Sequence, residues 1–161
     1  MIPFAGHAGI ALIIAFLLKT DPLITVIGSI LPDLDSLTVL FKIKWTEGHR
    51  KITHSLLFLT PFIILSIINP LFTSLLIGVI THYISDLDSW GIPLLYPFSN
   101  KYYSIVKVNH SKSFDKPEKY INEFFKKRGL RFYIEWLLLI IGIILNWSYI
   151  TNLIGAVLWL Y

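Results

Sequence analysis

Cysteine is absent from the 161 residues. Disulfides and thiolate metal sites are therefore excluded, and any metal held by this chain sits on histidine and carboxylate ligands. Charge is scarce as well. Charged residues make up 15% of the chain against 55% hydrophobic, with a mean hydropathy of +0.67. A soluble domain needs more charge than that to cover its surface, so the composition points to an integral membrane protein. No basic residue precedes the first apolar run and no convincing cleavage site follows it, which reads as a retained helix and not a secretory signal. No glycine-rich phosphate loop occurs and no Ser-His-Asp triad is legible; Ser55, beside His54, reads as a helix cap or packing residue.

The charge that is present is unevenly placed. Residues 99–131 hold nine Lys and Arg against Asp115, Glu118 and Glu123, a net +6 in one segment when the whole chain carries +4. A basic segment beside apolar runs stays on the cytoplasmic side and lies on anionic headgroups. Membrane orientation explains these lysines, so no nucleic-acid partner is expected.

The length suits a single domain, 1–161. Six apolar segments are legible. The first covers about 4–18 and ends at Lys19-Thr20-Asp21-Pro22; the second runs from 22 to Leu31-Pro32 and resumes over Leu37–Phe41. After a basic loop, the third covers about 53–68 and stops at Asn69-Pro70, and the fourth covers about 71–87. Residues 1–99 form the core, 100–131 a basic cytoplasmic loop or surface helix, and 132–161 an apolar helix or hairpin divided at Asn146. Residues 55–80 contain no charge and would also serve as one long span. In that case His54 and His82 would face opposite sides of the membrane. A hairpin turning at Asn69-Pro70 returns both to one side, and is preferred.

The hairpin parse gathers the ionisable side chains. His7 begins the first segment, Asp33 and Asp35 end the second, His49 and His54 flank the start of the third, and His82 and Asp86 end the fourth. All fall at one end of a four-helix arrangement, the end with the basic loops and hence the cytoplasmic one. Ionisable groups at membrane depth are costly and usually functional. His82 and Asp86, four apart, share a helix face and can share a cation. Asp33 and Asp35, two apart, share a face if extended, and Pro32 disfavours a helical Leu31. Thr53 is a candidate helix cap. Arg50 suits a bidentate phosphate contact as well as it suits simple anchoring. Mixed His and carboxylate ligands at this number allow two divalent ions, zinc or manganese, which together activate water against a phosphoester. Asp33 or Asp35 would act as ligand or base, with Arg50 neutralising phosphate.

His7, Leu31-Pro32-Asp33-Leu34-Asp35, His49-Arg50 with Thr53-His54-Ser55, Gly78 through His82 and Asp86, and Trp90 through Ser99 occur in that order. This ordered set resembles the YdjM-like family of inner-membrane-associated metal-dependent hydrolases, some described as LexA-binding. The His-Tyr-x-x-Asp element is more distantly similar to that of zinc-dependent phospholipase C and related nucleases. The resemblance spans residues 7–99. It implies His7, Asp33, Asp35, His49, His54, His82 and Asp86 as the polar site and a hydrolase without a settled substrate.

The expectation is thus an all-α, polytopic membrane bundle in the inner membrane. It carries a metal site at its cytoplasmic end and acts on a lipid or lipid-linked phosphoester. A non-catalytic protein with a structural cluster that recruits a regulatory partner ranks second. A small transporter ranks third, because few polar residues mark the far end.

Overall fold

The computed structural model describes residues 4–41, 50–87, 91–105 and 129–158. His49 and most of the basic segment lie outside these residues. The elements in chain order are α1 (Phe4–Leu18), α2 (Pro22–Ile30), a 3-10 helix Leu31–Phe41, a 3-10 turn Ile52–His54, α3 (Leu56–Ile68), α4 (Pro70–Asp86), α5 (Leu130–Leu145) and α6 (Trp147–Leu158). Among the described residues, extended pairing is confined to one bridge, Ile92 with Tyr103.

The two tight turns use one device. Asp21 caps α2 by accepting from Ile24 N at 2.9 Å, with Pro22 in the first turn. Asn69 caps α4 by accepting from Leu71 N at 2.9 Å, again with proline next. A side-chain acceptor supplies one orphan N–H with a partner, and proline has no N–H to orphan. The chain therefore turns back at Asn69-Pro70, and His54 and His82 lie at the same end. Thr53 is not the cap of α3. Ser55 is, accepting from Phe58 N, while the Thr53 hydroxyl turns toward Asp35.

The helices pack through small residues, the pattern that lets backbones approach closely where lipid removes the usual hydrophobic drive. α2 lies against α4 at Gly28 and Gly78: a Cβ on Gly28 would collide with Leu75 O, and one on Gly78 with Thr25 O. Thr25, Ser29 and Ser74 are buried along the same interface. Thr25 and Ser29 bond to carbonyls of their own helix, and the Ser74 hydroxyl accepts from Asp21 N, so these are packing groups and not a polar path. α1 packs on α2 and on α5, and α3 on α4.

The segment after α4 folds back over this end of the bundle. Ile92 and Tyr103 exchange both backbone bonds at 2.9 and 3.0 Å, and Leu94 O accepts from Leu56 N. Ile92 is fully buried against Val79 and Tyr83.

One expectation is corrected. The stretch containing Asp33 and Asp35 is not extended but 3-10 helical, and Leu31 keeps right-handed helical angles (φ −54, ψ −42). Proline is tolerated at the start of a new turn, so Pro32 begins a tighter helix instead of ending the old one. Among the described residues, no helix is long and apolar enough to cross a membrane by itself. Phe132–Leu145 and Trp147–Leu158 pass that test only as a pair, bent by 68°.

Candidate metal centre

Four side chains from three elements meet at one end of the bundle. Asp33 comes from the 3-10 helix, His54 from the short turn, and His82 and Asp86 from the last turns of α4. One ligand atom from each lies within 4.8 Å of the others, and all four residues are buried. His54 Nε2 is 3.1 Å from His82 Nε2. Each of these nitrogens is 3.7 Å from Asp33 Oδ1 and 3.7 Å from Asp86 Oδ2. Ligands about 2.0–2.1 Å from a tetrahedral zinc ion stand about 3.3–3.4 Å apart, so these separations are of the size that one cation bridges.

The outer nitrogens decide what faces inward. His82 Nδ1 is 2.7 Å from Ser29 O, a carbonyl that can only accept, so Nδ1 carries the proton and the Nε2 lone pair of the neutral ring points to the cluster. That carbonyl is available because Pro32 has no N–H: in an i to i−3 ladder the donor at position 32 would bond to residue 29. His54 follows the same logic. The Thr53 hydroxyl donates to Asp35 Oδ2 at 2.6 Å, so its oxygen can accept from His54 Nδ1 at 3.1 Å. His7 repeats it: Ser85 Oγ donates to His82 O and faces His7 Nδ1 at 2.8 Å. The His7 ring stacks on His82 with centroids 4.0 Å apart. Its Nε2 lies 3.5 Å from Asp86 Oδ1 and 3.8 Å from Asp33 Oδ2. Three imidazoles thus turn their Nε2 lone pairs on one another and on two carboxylates. Two lone pairs 3.1 Å apart repel unless a proton or a cation lies between them. His7 Nε2 and Asp86 Oδ1 are buried with no hydrogen-bond partner among the described residues. The residues present fit a divalent cation.

His54 reports the same polarity. Burial works against a charged ring, but hydrogen bonds with Asp33 and Asp35 and the charges of Asp35 and Asp86 hold its pKa above the ordinary histidine value. A cluster that draws a proton to this ring also draws a cation.

Arg50 stands inside the cluster. Its guanidinium donates to Asp86 Oδ2 and, at 3.1 Å, to Gly91 O. Its own backbone is left-handed, with φ 58. That conformation is held by Asp35 Oδ2, which accepts from Arg50 N at 2.8 Å, and by Tyr102 OH, which donates to Arg50 O at 3.3 Å. A strained residue over-determined by its neighbours is typical of functional sites.

Of the residues expected from the sequence, Asp33, His54, His82 and Asp86 are brought together and His7 joins them, stacked on His82. Asp35 stands one ring further out. In a 3-10 helix residues two apart diverge by about 120°. Asp35 therefore meets His54 at the outer nitrogen, 3.5 Å from Nδ1, instead of entering the group of four. Such an outer carboxylate fixes the orientation and basicity of a ligating histidine. Asp35→Asn is expected to weaken metal binding by about 10–100-fold with the helices intact, as read by competition with a chelating dye. An unchanged affinity would remove Asp35 from the centre. His49 lies outside the described residues. The sequence did not single out the Ser29 carbonyl, Ser85 or Tyr83. Tyr83 OH sits 2.8 Å from both Thr53 O and Ser55 O and pins the turn that carries His54. Only Ser29 had a signal, the missing donor at Pro32.

No curated protein and no solved structure matches the chain. A family model described as YdjM inner membrane protein matches residues 1–157. With nearly the whole length covered, the chain belongs to the YdjM inner membrane protein family.

Proposed function

We propose that this chain is a metal-dependent hydrolase of the inner membrane, with a lipid or lipid-linked phosphoester as the favoured substrate class. The carrying observation is the convergence of three histidine Nε2 atoms on Asp33 and Asp86, each ring fixed from behind by a separate acceptor. In this reading α1 to α4 cross the bilayer as two hairpins of short helices. The centre faces the cytoplasm, on the side of the basic segments.

His54, His82, Asp33 and Asp86 hold the cation, with His7 beside them. Bound there, a divalent ion, zinc or manganese, acts as a Lewis acid toward water and a phosphoryl oxygen. Arg50 locks one oxygen of Asp86 so that the carboxylate cannot turn away. Asp35 and Thr53 hold the His54 ring. Asp33 keeps 5% of its surface exposed where His54, His82 and Asp86 keep none, which makes it the carboxylate best placed to take a proton from an attacking water. The distant similarity to zinc-dependent phospholipase C supports the substrate class.

The burial of His54, His82 and Asp86 favours a second reading, a closed structural centre in a protein that recruits a regulatory partner. Elemental analysis of the detergent-purified protein, paired with a phosphoester hydrolysis screen including phospholipid, separates the two. The hydrolase reading expects bound divalent metal, absent from the His82→Ala, Asp86→Ala variant, and phosphoester cleavage that disappears with it. Bound metal without cleavage of any substrate would support the structural reading. No metal after purification without chelators, and none on titration, would overturn both.

A further inference from the structure

At the end away from the metal centre, α6 leaves the bundle. None of its residues is buried. It starts at Asn146, whose side-chain amide donates to Leu12 O at 2.9 Å and Gly142 O at 2.8 Å. This tie allows a polar side chain to sit buried at the bend between the two helices. The axis then swings by 68°. The first turn is held by Tyr149 OH, which donates to Asp21 Oδ2 at 2.9 Å. α5 runs parallel to α1, since Gly9 meets Leu139 while Leu12 meets Gly142 and Asn146. α5 therefore carries the chain from the centre's end to the opposite one.

At 100° per residue, Ser148, Thr151, Asn152 and Gly155 fall within an arc of about 100°. Ile150, Leu153, Ile154 and Val157 occupy the opposite side, with Leu158 at the edge of the stripe and Trp147 and Tyr149 at the start of the helix. A spanning helix is apolar all round. α6 carries a polar stripe along its described length. Exposed apolar residues of α5 (Leu137, Ile140, Ile141 and Ile144) run up to the bend, and Leu153, Ile154 and Val157 of the α6 apolar arc are exposed beyond it. In an inner membrane protein, the α5 surface faces acyl chains.

We infer that α6 is an interfacial helix lying in the plane of the bilayer at the face opposite the metal centre, its apolar arc in the acyl boundary and its Ser148, Thr151, Asn152 and Gly155 stripe in water. The partner it fits is the lipid interface. If α5 lies within the usual tilt of about 20° from the bilayer normal, a 68° bend brings α6 close to the membrane plane. Trp147 and Tyr149 then sit at headgroup level, the depth such rings prefer. This placement does not depend on the hydrolase reading.

The natural absence of cysteine makes the test direct. Single cysteines are placed at Ser148, Thr151, Asn152, Gly155, Leu153, Ile154 and Val157, and a membrane-impermeant maleimide is applied to sealed vesicles of each orientation. The four stripe positions should label from one and the same side. The three apolar positions should label slower by about ten-fold or more, as expected for an apolar face buried in the acyl boundary. A nitroxide on the same cysteines should show oxygen collisions at the apolar positions and nickel-chelate collisions at the stripe. Labelling that falls steadily from 148 to 157 would mean a spanning segment and overturn the inference. Efficient disulfide cross-links between apolar positions of two chains would equally overturn it, in favour of a self-association surface.

Discussion

Arg50→Met is expected to destabilise the metal-free protein by about 3–5 kcal/mol, the usual cost of stripping the partner from a buried charge. Asp86 has no exposed surface; its Oδ2 accepts from Arg50 and lies 3.7 Å from His54 and His82 Nε2, while its Oδ1 faces His7 Nε2. Without the guanidinium, Asp86 is left beside Asp33 and the histidine rings in a buried site. Methionine keeps the length of the side chain and the Cβ, so the left-handed backbone at position 50 is no worse off than before. The loss is therefore electrostatic. A divalent cation should then return most of the stability, because it offsets the charge that Arg50 no longer does. Thermal unfolding in detergent, with chelator and with added zinc or manganese, gives both arms. Equal destabilisation in the two conditions would mean that no cation sits against Asp86. Arg50→Lys should recover only part of the effect, since an ammonium cannot bond Asp86 and Gly91 O in the same planar fork.

Much of this centre is legible in the chain before any coordinates. His82 and Asp86 are four apart on an apolar helix, and a helix has one way to place them. The hairpins follow from Asp21-Pro22 and Asn69-Pro70, where a capping side chain precedes a residue without an N–H. The parts that sequence could not supply are those decided across elements. Asp33 and Asp35 were grouped as equals because an extended segment would present them together. The observed 3-10 helix separates them, and it forms because Pro32 sits comfortably at the start of a turn. Arg50 read equally well as a phosphate contact or an anchor; its bond to Asp86 joins residues 36 apart and depends on the fold of the segment that follows α4. The second ring nitrogens were invisible for the same reason. Ser29 is 53 residues from His82 and Ser85 is 78 from His7, and neither acceptor has a spacing that marks it.

Gly78→Val is expected to abolish metal binding although residue 78 touches no ligand. It lies one turn before His82 on α4, at the point where α4 and α2 are in backbone contact. A Cβ there would collide with Thr25 O and come within 2.7 Å of Ser29 N. Both are main-chain atoms of a packed helix, so the clash cannot be relieved by a rotamer change. α2 must move away, and with it the Ser29 carbonyl that fixes His82 Nδ1 at 2.7 Å. The overpacking itself costs about 1–3 kcal/mol, or more where backbone must shift. The larger effect falls on the centre, because freeing the outer nitrogen of a ligating histidine lowers affinity by about 10–100-fold before any movement of Asp33 is counted. Gly155→Ala is the control: a Cβ at 155 meets nothing within 4 Å. That variant should bind metal as the parent does, and it gains up to about 1 kcal/mol from helix propensity. Elemental analysis and thermal unfolding of the two variants side by side decide the matter. A Gly78→Val protein that keeps its metal would show that the approach of α2 to α4 does not build the site.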